Sequence, residues 1–273
     1  GVALVIILIP RCCFSTGQLQ MSFIDVGQGD SILLKTPHNR FILIDGGGSL
    51  FTEVGRRKVL PYLNHLGVNR LYMVINTHPD VDHIQGLLEV MPERPAKYVG
   101  LAAASMTEPL SQQLLAAARQ QGSRVVALEQ GQVLNIDGVQ MEVWYPPQKL
   151  SEEWDNNERS LLLYFRYRDF SALLTADQSK AGLEEVLRQH QDKAVIVKVP
   201  HHGSRYAWSS ELDRNAQWLV LSVGKNAFGH PHQEVVEDIA RGGARLLRTD
   251  RDGLITFSSD GRMLRVETFK SGS

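Results

Sequence analysis

Cysteine is almost missing from the 273-residue sequence, and the two that occur, Cys12 and Cys13, are adjacent. Adjacent cysteines supply neither a disulfide framework nor a zinc-binding pair at the usual spacing, so the fold must be held by its core. An excess of either charge is missing too: 29 Lys and Arg stand against 30 Asp and Glu, a formal net charge of −1. That balance excludes the broad positive field of a dedicated nucleic-acid binder, and any contact with a polyanion has to be local. Linker-like stretches and internal repeats are absent. So is an apolar run of the ~20 residues that a membrane-spanning helix needs. The nearest approach is Gly1 to Ile9, followed by Pro10 and Arg11. It reads as the last turns of a span cut from a longer polypeptide, with a signal-peptide core or a buried first strand as the alternatives. On that reading residues 1–18 are a span end and linker, and residues 19–270 form one domain.

What is present is the composition of an ordinary globular protein, 43% hydrophobic and 22% charged, enough to bury a sizeable core. Basic residues such as Arg56, Arg57, Lys58, Arg205, Lys225, Arg245, Arg248 and Arg251 are scattered as on a solvated surface. Short apolar runs at Leu19 to Asp25, Ser31 to Lys35 and Phe41 to Ile44 are split by turn residues at Gly27 to Asp30 and Pro37 to Asn39, which predicts a β-meander. Helical spacing of apolar residues predicts helices over Lys58 to Leu66, from His83 onward, and over Leu110 to Gln121, Lys180 to His190 and Gln233 to Ala240. Further strands are expected at Leu71 to Asn76, Arg124 to Leu128, Val139 to Tyr145, Ser160 to Tyr167, Ser171 to Thr175, Ala194 to Val199 and Trp218 to Ser222. Two blocks of strands, each followed by helices, predict two mixed sheets packed face to face with helices outside, a four-layer α/β architecture.

Three strand ends carry the chemistry. His78-Pro79-Asp80-Val81-Asp82-His83 puts two imidazoles and two carboxylates in six residues directly after a buried strand. Carboxylates this close repel and resist desolvation unless a cation holds them, so the segment is a candidate metal-ligand loop. Asp177 follows the apolar run Ala172 to Thr175 and precedes a helix; it is either an N-cap or the bridging carboxylate that paired cations require. Val199-Pro200-His201-His202-Gly203-Ser204 ends a third strand, and either imidazole can bind metal while the other hydrogen-bonds substrate or ligand. His230 and His232 flank Pro231, where a histidine can pass a proton to a leaving oxygen, bind phosphate, or sit in a plain turn. Gly27-Gln28-Gly29-Asp30 can approach a phosphate through backbone N–H groups or simply close a hairpin.

Taken in order, Ile44-Asp45-Gly46-Gly47, then His78-x-Asp80-x-Asp82-His83, Leu174-Thr175-Ala176-Asp177 and His201-His202-Gly203-Ser204 resemble the metallo-β-lactamase superfamily. More narrowly, Asp25 to Ser31, Asn156-Asn157 before Ser160-Leu161, and Ser222-Val223-Gly224 leading into Gly229-His230-Pro231-His232 resemble the carboxy-terminal domain of the ComEC family of competence channels. This likeness covers nearly the whole chain after residue 19. It implies an αββα sandwich with a metal site at one edge. It also implies roles: His78 and Asp80 on a first divalent cation, Asp82, His83 and one of His201 or His202 on a second, Asp177 between them and Asp45 orienting the site. Asp80 stands where many members have histidine, and Asn157 lies near the usual third-motif histidine. The ligand set is therefore richer in oxygen, which moves the preference from zinc alone towards manganese as well.

The activity implied is hydrolysis of phosphodiester bonds in DNA. Two divalent cations, Zn2+ or Mn2+, would lower the pKa of a shared water, with Asp82 or Asp177 orienting it and His230 as the candidate acid. Gln28, Asp30, Asn157, Ser204, Arg205 and Lys225 are expected around the ligands or against substrate, with the DNA backbone beside Arg205 and Lys225. The expected task is degradation of the strand that does not enter the cell, beside a membrane channel formed by the rest of the same polypeptide. The expected place is the inner membrane, with this domain on the external, periplasmic face, and no nucleotide cofactor is expected. Two rivals remain. A phosphodiesterase or phosphorylcholine esterase of cell-wall polymers would need a cage of rings around the ammonium, for which Tyr206-Ala207-Trp208 is the nearby material. A non-catalytic module that binds DNA or braces the channel would need no metal.

Overall fold

Alternating apolar residues pair first with their neighbours in sequence. In the computed structural model, which describes residues 17–213 and 216–270, β1 (Leu19–Phe23), β2 (Ile32–Lys35) and β3 (Phe41–Ile44) form the expected antiparallel meander. The chain then changes mode. Residues 55–59 make a wide π-type turn leading into α1 (Leu60–His65), where a single regular helix over Lys58 to Leu66 was expected. β4 (Leu71–Asn76) lies parallel to β3, followed by α2 (Val81–Val90), β5 (Ala96–Ala102), α3 (Pro109–Gln120) and β6 (Arg124–Leu128), with the strands again parallel.

The second block repeats this change of mode. β7 (Val133–Ile136), β8 (Val139–Tyr145), β9 (Leu162–Tyr167) and β10 (Phe170–Leu174) are antiparallel. After α4 (Lys180–Gln189), β11 (Ile196–Lys198) and β12 (Trp218–Leu221) run parallel to β10, and after α5 (Gln233–Arg241) so does β13 (Arg245–Arg248). A short α6 (Thr249–Asp252) returns the chain to the first sheet, where β14 (Leu254–Ser259) pairs with β1 and β15 (Leu264–Phe269) forms the edge. Among the described residues the sheets have eight and seven strands.

The two-residue strand period sorts the side chains into layers. Ile32 and Leu34 face the second sheet, meeting Phe165, Ala172 and Ile196, while Leu33 between them faces the helices on the other side. Leu63, Leu87 and Leu114 of α1, α2 and α3 cover that outer face. Leu183 and Ile239 of α4 and α5 cover Val197 and Leu173 on the far side of the second sheet. Each such fully buried aliphatic side chain contributes about 1.5–3 kcal/mol. The result is the αββα sandwich expected. The run Gly1 to Ile9, expected to end a membrane span, lies outside the described residues; within them no helix is long and apolar enough to cross a membrane.

Candidate metal centre

Parallel strands end together, so residues that follow them meet at one edge of the sandwich. Asp45 follows β3, His78 to His83 follow β4 and open α2, Asp177 follows β10, and His201 and His202 follow β11. Asp45, Ala176, His201 and His202 have φ of 54°, 46°, 46° and 52°, a left-handed backbone that costs about 1–3 kcal/mol each for residues with a side chain. Asn39, Asp137 and Arg168 share that conformation but sit in hairpin turns. Four strained residues at one edge mean that packing holds them there against their local preference.

Asp82, His83, Asp177 and His202 each offer one ligand atom, and these atoms all lie within 4.8 Å of one another. The Nε2 atom of His202 is 3.2 Å from Asp177 Oδ2 and 3.3 Å from Asp82 Oδ2, and that of His83 is 3.4 Å from Asp177 Oδ1. The other ring nitrogens are committed. His83 Nδ1 meets Asp45 Oδ2 at 2.9 Å and His202 Nδ1 meets the Ser222 carbonyl at 2.8 Å. Thr77 Oγ1 donates its one proton to Asp45 Oδ2 (2.7 Å), so at 3.0 Å from His78 Nδ1 it can only accept. All three rings thus carry their proton on Nδ1 in the neutral form. Their Nε2 atoms are buried without a hydrogen bond, as metal-binding imidazoles oriented by outer partners are.

Asp45 is the hub of that arrangement. Besides His83 and the Thr77 hydroxyl it accepts from the Thr77 N–H (2.8 Å) and the Asn76 amide (3.0 Å). His78 and Asp80 stand beside the four-residue cluster rather than in it, with Nε2 and Oδ2 3.8 Å apart. Of the two neighbouring histidines, His202 joins the cluster. His201 stays partly exposed, its Nε2 3.8 Å from Asp177 Oδ2. Asp177 has no capping duty: the N-cap of α4 is Ser179, whose hydroxyl accepts from Gly182.

A residue that strand and helix reading passed over sits at the centre. Lys198, at the end of β11, is fully buried, and its ammonium meets Asp30 Oδ2 at 2.5 Å, Asp177 Oδ1 at 3.2 Å and the Ala176 carbonyl at 2.7 Å. The signal was present in the sequence: a lone lysine inside Val195-Ile196-Val197-Lys198-Val199 falls, at period two, on the inward face with Ile196. Burial works to lower its pKa, but Asp30 and Asp177 outweigh that and raise it.

The electrostatics fit a cation. Burial works to raise the pKa of Asp177, yet His202, His83 and Lys198 hold it well below the carboxylate range. For Asp82, burial is likewise outweighed, by contact with His202 and the charge of His83. The carboxylates in turn lift the imidazoles against the cost of burial, His83 well above its ordinary value and His202 to about 9. Protons on His83 and His202 therefore supply the positive charge that the buried carboxylates demand, the place a divalent cation takes. His78 is pushed down to about 3 by burial and by the charge of His83, which outweigh the upward pull of Asp177, Asp45 and Asp82, so its Nε2, buried without a hydrogen bond, is free to bind a cation. Two imidazoles and two carboxylates in one cluster suit a divalent metal ion.

The residues expected around the ligands or against substrate take different places. Asp30 is on the ligand side: it is buried under Lys198, and its N–H donates to the Asp82 carbonyl at 3.2 Å. The Gly27 N–H donates to the Asp25 side chain, and the Asp30 N–H ties the Gly27 to Asp30 loop to the ligand loop, which it buttresses. A Cβ on Gly29, at φ 126°, would collide with the Asp82 carbonyl. Asn156, not Asn157, reaches the ligands, its amide donating to Asp80 Oδ1 at 2.7 Å. Ser204 is buried, and its hydroxyl accepts from the Tyr206 N–H. Gln28 and Lys225 line a cleft that opens beside Asp82. Arg205 is exposed and pairs with Glu234 at 3.5 Å. His230 is held by Asn226, which bonds both its N–H and its carbonyl. Burial and nearby imidazoles push its pKa down to about 4. Tyr206 and Trp208 form no ring cage, because Trp208 is buried with its indole N–H on Asp238 at 2.7 Å.

Facing sheets with ligand loops at one edge define a class, and the family described as Metallo-beta-lactamase superfamily matches residues 24–217; the chain belongs to that superfamily. Nearer relatives are competence-type proteins. The chain is 32% identical over 275 residues to ComE operon protein 3 of Bacillus subtilis (strain 168), covering 94% of this chain and 35% of that one. It is 29% identical over 239 residues to Competence protein ComA of Neisseria gonorrhoeae, covering 85% and 31%. The chain thus spans about a third of the length of these curated relatives, and the ComEC-type resemblance read from its motifs is borne out. Among solved structures, the metallo-beta-lactamase fold protein YhfI from Bacillus subtilis superposes with a TM-score of 0.62 at 12% identity, over 88% of this chain and 100% of that one. At that identity the likeness is one of fold.

Proposed function

We propose that this domain is a metal-dependent phosphodiester hydrolase of DNA, the nuclease part of a competence uptake protein that degrades the strand not transported. The observation that carries the reading is the convergence of Asp82, His83, Asp177 and His202 from separate strand ends, with buried Nε2 atoms turned to the cluster. Similarity to a protein named for competence supports the biological setting. In that setting the membrane channel belongs to the same polypeptide, the inner membrane is the place and the external, periplasmic face is the side.

His78 and Asp80 would hold one divalent cation, Zn2+ or Mn2+, and Asp82, His83 and His202 a second, with Asp177 within reach of both sets. Such cations lower the pKa of water and neutralise charge on phosphoryl oxygens. The chain's own residues do the rest. Asp82 and Asp177, ionised at neutral pH, accept a hydrogen bond from the attacking water and so orient it. His230, neutral at pH 7 because burial and nearby imidazoles push its pKa down to about 4, hydrogen-bonds a phosphoryl or leaving oxygen through its one ring N–H. The acid role expected of it is corrected, since a neutral imidazole has no spare proton, and the leaving oxygen takes its proton from water. Lys225 beside the cleft and Arg205 at the rim attract the DNA backbone.

Labelled single- and double-stranded DNA, incubated with the chain and Mn2+ or Zn2+, should be cut only with metal, and Asp177→Ala should abolish cutting. Cleavage that survives chelation or this substitution defeats the proposal. A chain that retains no metal after mild dialysis, and whose DNA binding ignores Asp82→Ala, would point to the non-catalytic module.

A further inference from the structure

Large apolar side chains on the surface need a reason, and two of them share the cleft beside Asp82. Phe51 is 94% exposed and Phe228 is 69% exposed, and both line that cleft with Gln28, Asp82 and Lys225. Phe228 also begins a chain of neighbouring rings. Its centroid is 5.8 Å from that of His230 in stacked orientation; His230 is 5.0 Å from His232, and His232 is 6.3 Å from Tyr206, itself 73% exposed. His230 lies 5.5 Å from His201, so the chain passes the cluster. A cation stands at each end: Lys225 in the cleft, and Arg205, whose guanidinium lies 5.1 Å over the Tyr206 ring.

We infer that these rings are a stacking track for an unpaired nucleic-acid strand, which they lead past the metal centre. Exposed aromatics between cations are what a strand with free base faces recognises, since every base has a π-face and the phosphates find the charges. The ring planes turn by 55° from His230 to His232 and by 80° from His232 to Tyr206. Bases laid on successive faces cannot stay parallel to one another, as bases in a paired and stacked duplex strand must. The inference rests on the phosphodiesterase reading for the role of the cluster, but its test reads binding alone.

Affinities of the chain for a fluorescent oligothymidylate, an abasic strand of equal length and a duplex, measured without metal at fixed salt, separate base stacking from backbone attraction. The oligothymidylate should bind about tenfold or more tighter than the abasic strand. Phe51→Ala, Phe228→Ala and Tyr206→Ala should each weaken it by about fivefold or more, the weight of one base–aromatic stack, with abasic binding unmoved. Phe51 and Phe228 are exposed enough that their replacements fold, which thermal melting verifies. Equal binding of thymidylate and abasic strands, or indifference to all three substitutions, overturns the track. So does Phe51-dependent retention on phosphatidylcholine–phosphatidylglycerol vesicles with oligonucleotide binding unaltered, the sign of a lipid-facing patch. Base-dependent, ring-dependent binding without metal-dependent cleavage upholds the track and sinks the hydrolase; cleavage without base dependence does the reverse.

Discussion

Asp45 is not one of the four clustered ligands, yet through its contact with His83 it decides which nitrogen of that ring carries the proton. In Asp45→Asn the new NH2 group would face two donors, the Thr77 hydroxyl and His83 Nδ1–H. The cheapest relief is a switch of the His83 tautomer, which puts a proton on Nε2 where a metal should be. Metal affinity should fall about 10- to 100-fold with the fold intact; a competition titration with a chromogenic chelator that finds wild-type affinity would refute this. Lys198 raises a different issue. Replacing it by methionine fills the volume but leaves Asp30 and Asp177 buried without their cation. The metal-free chain should lose about 3–5 kcal/mol, and added Mn2+ or Zn2+ should restore part of it. Urea denaturation with and without metal measures both effects.

At the scale of elements, the contact between α2 and the loop after β3 places Asp82 and His83. Gly46 and Gly86 meet there backbone to backbone: a Cβ on Gly86 would overlap the Gly46 carbonyl, and one on Gly46 would overlap the start of Leu87. Helix propensity favours Gly86→Ala by about 1 kcal/mol, but a carbonyl held in the Gly47 and His83 hydrogen-bond pattern cannot yield. The steric cost of about 1–3 kcal/mol or more wins, and the substitution should destabilise the chain and weaken metal binding together. A stabilised variant in thermal melting would contradict the close approach. The elements themselves were legible unevenly. β1, β3, β4 and α3 announce themselves by unbroken apolar patterns. β5, β7 and β13 went unread because Lys97 and Gly100 interrupt the first, the second is only four residues with an exposed Val133, and Arg245 and Arg248 make the third look like surface. Their strand conformation comes from neighbours that supply the hydrogen bonds, not from their own pattern.

For the whole molecule, the balance of protons and metal gives a pH dependence. The His202 pKa rises from its ordinary 6.5 to about 9 against the cost of burial, through Asp177 and Asp82. A raised pKa stabilises the metal-free fold fully below 6.5 and ceases to do so as pH climbs through about 9. The depressed carboxylates lose their contribution only in acid, outside that window. Metal-free stability should therefore decline on the order of 3 kcal/mol between pH 6.5 and 9, while metal, displacing the protons, binds more tightly over the same range. Denaturation midpoints at pH 6, 7.5 and 9 should diverge between metal-free and metal-loaded chains; parallel curves would rule out the proton-for-metal exchange. By itself the sequence determined the layers and the ligand types, because strand and helix periods and clustered His and Asp residues are local patterns readable in one dimension. Only the tertiary structure decided that His202 rather than His201 joins the cluster, that Asn156 holds Asp80, and that Asp30 and Lys198 form a buried ion pair under Asp177. Period two turns Lys198 inward, but which partner each of these side chains meets is decided at the junction of two sheets whose strands lie far apart in sequence, and no spacing along the chain encodes that meeting.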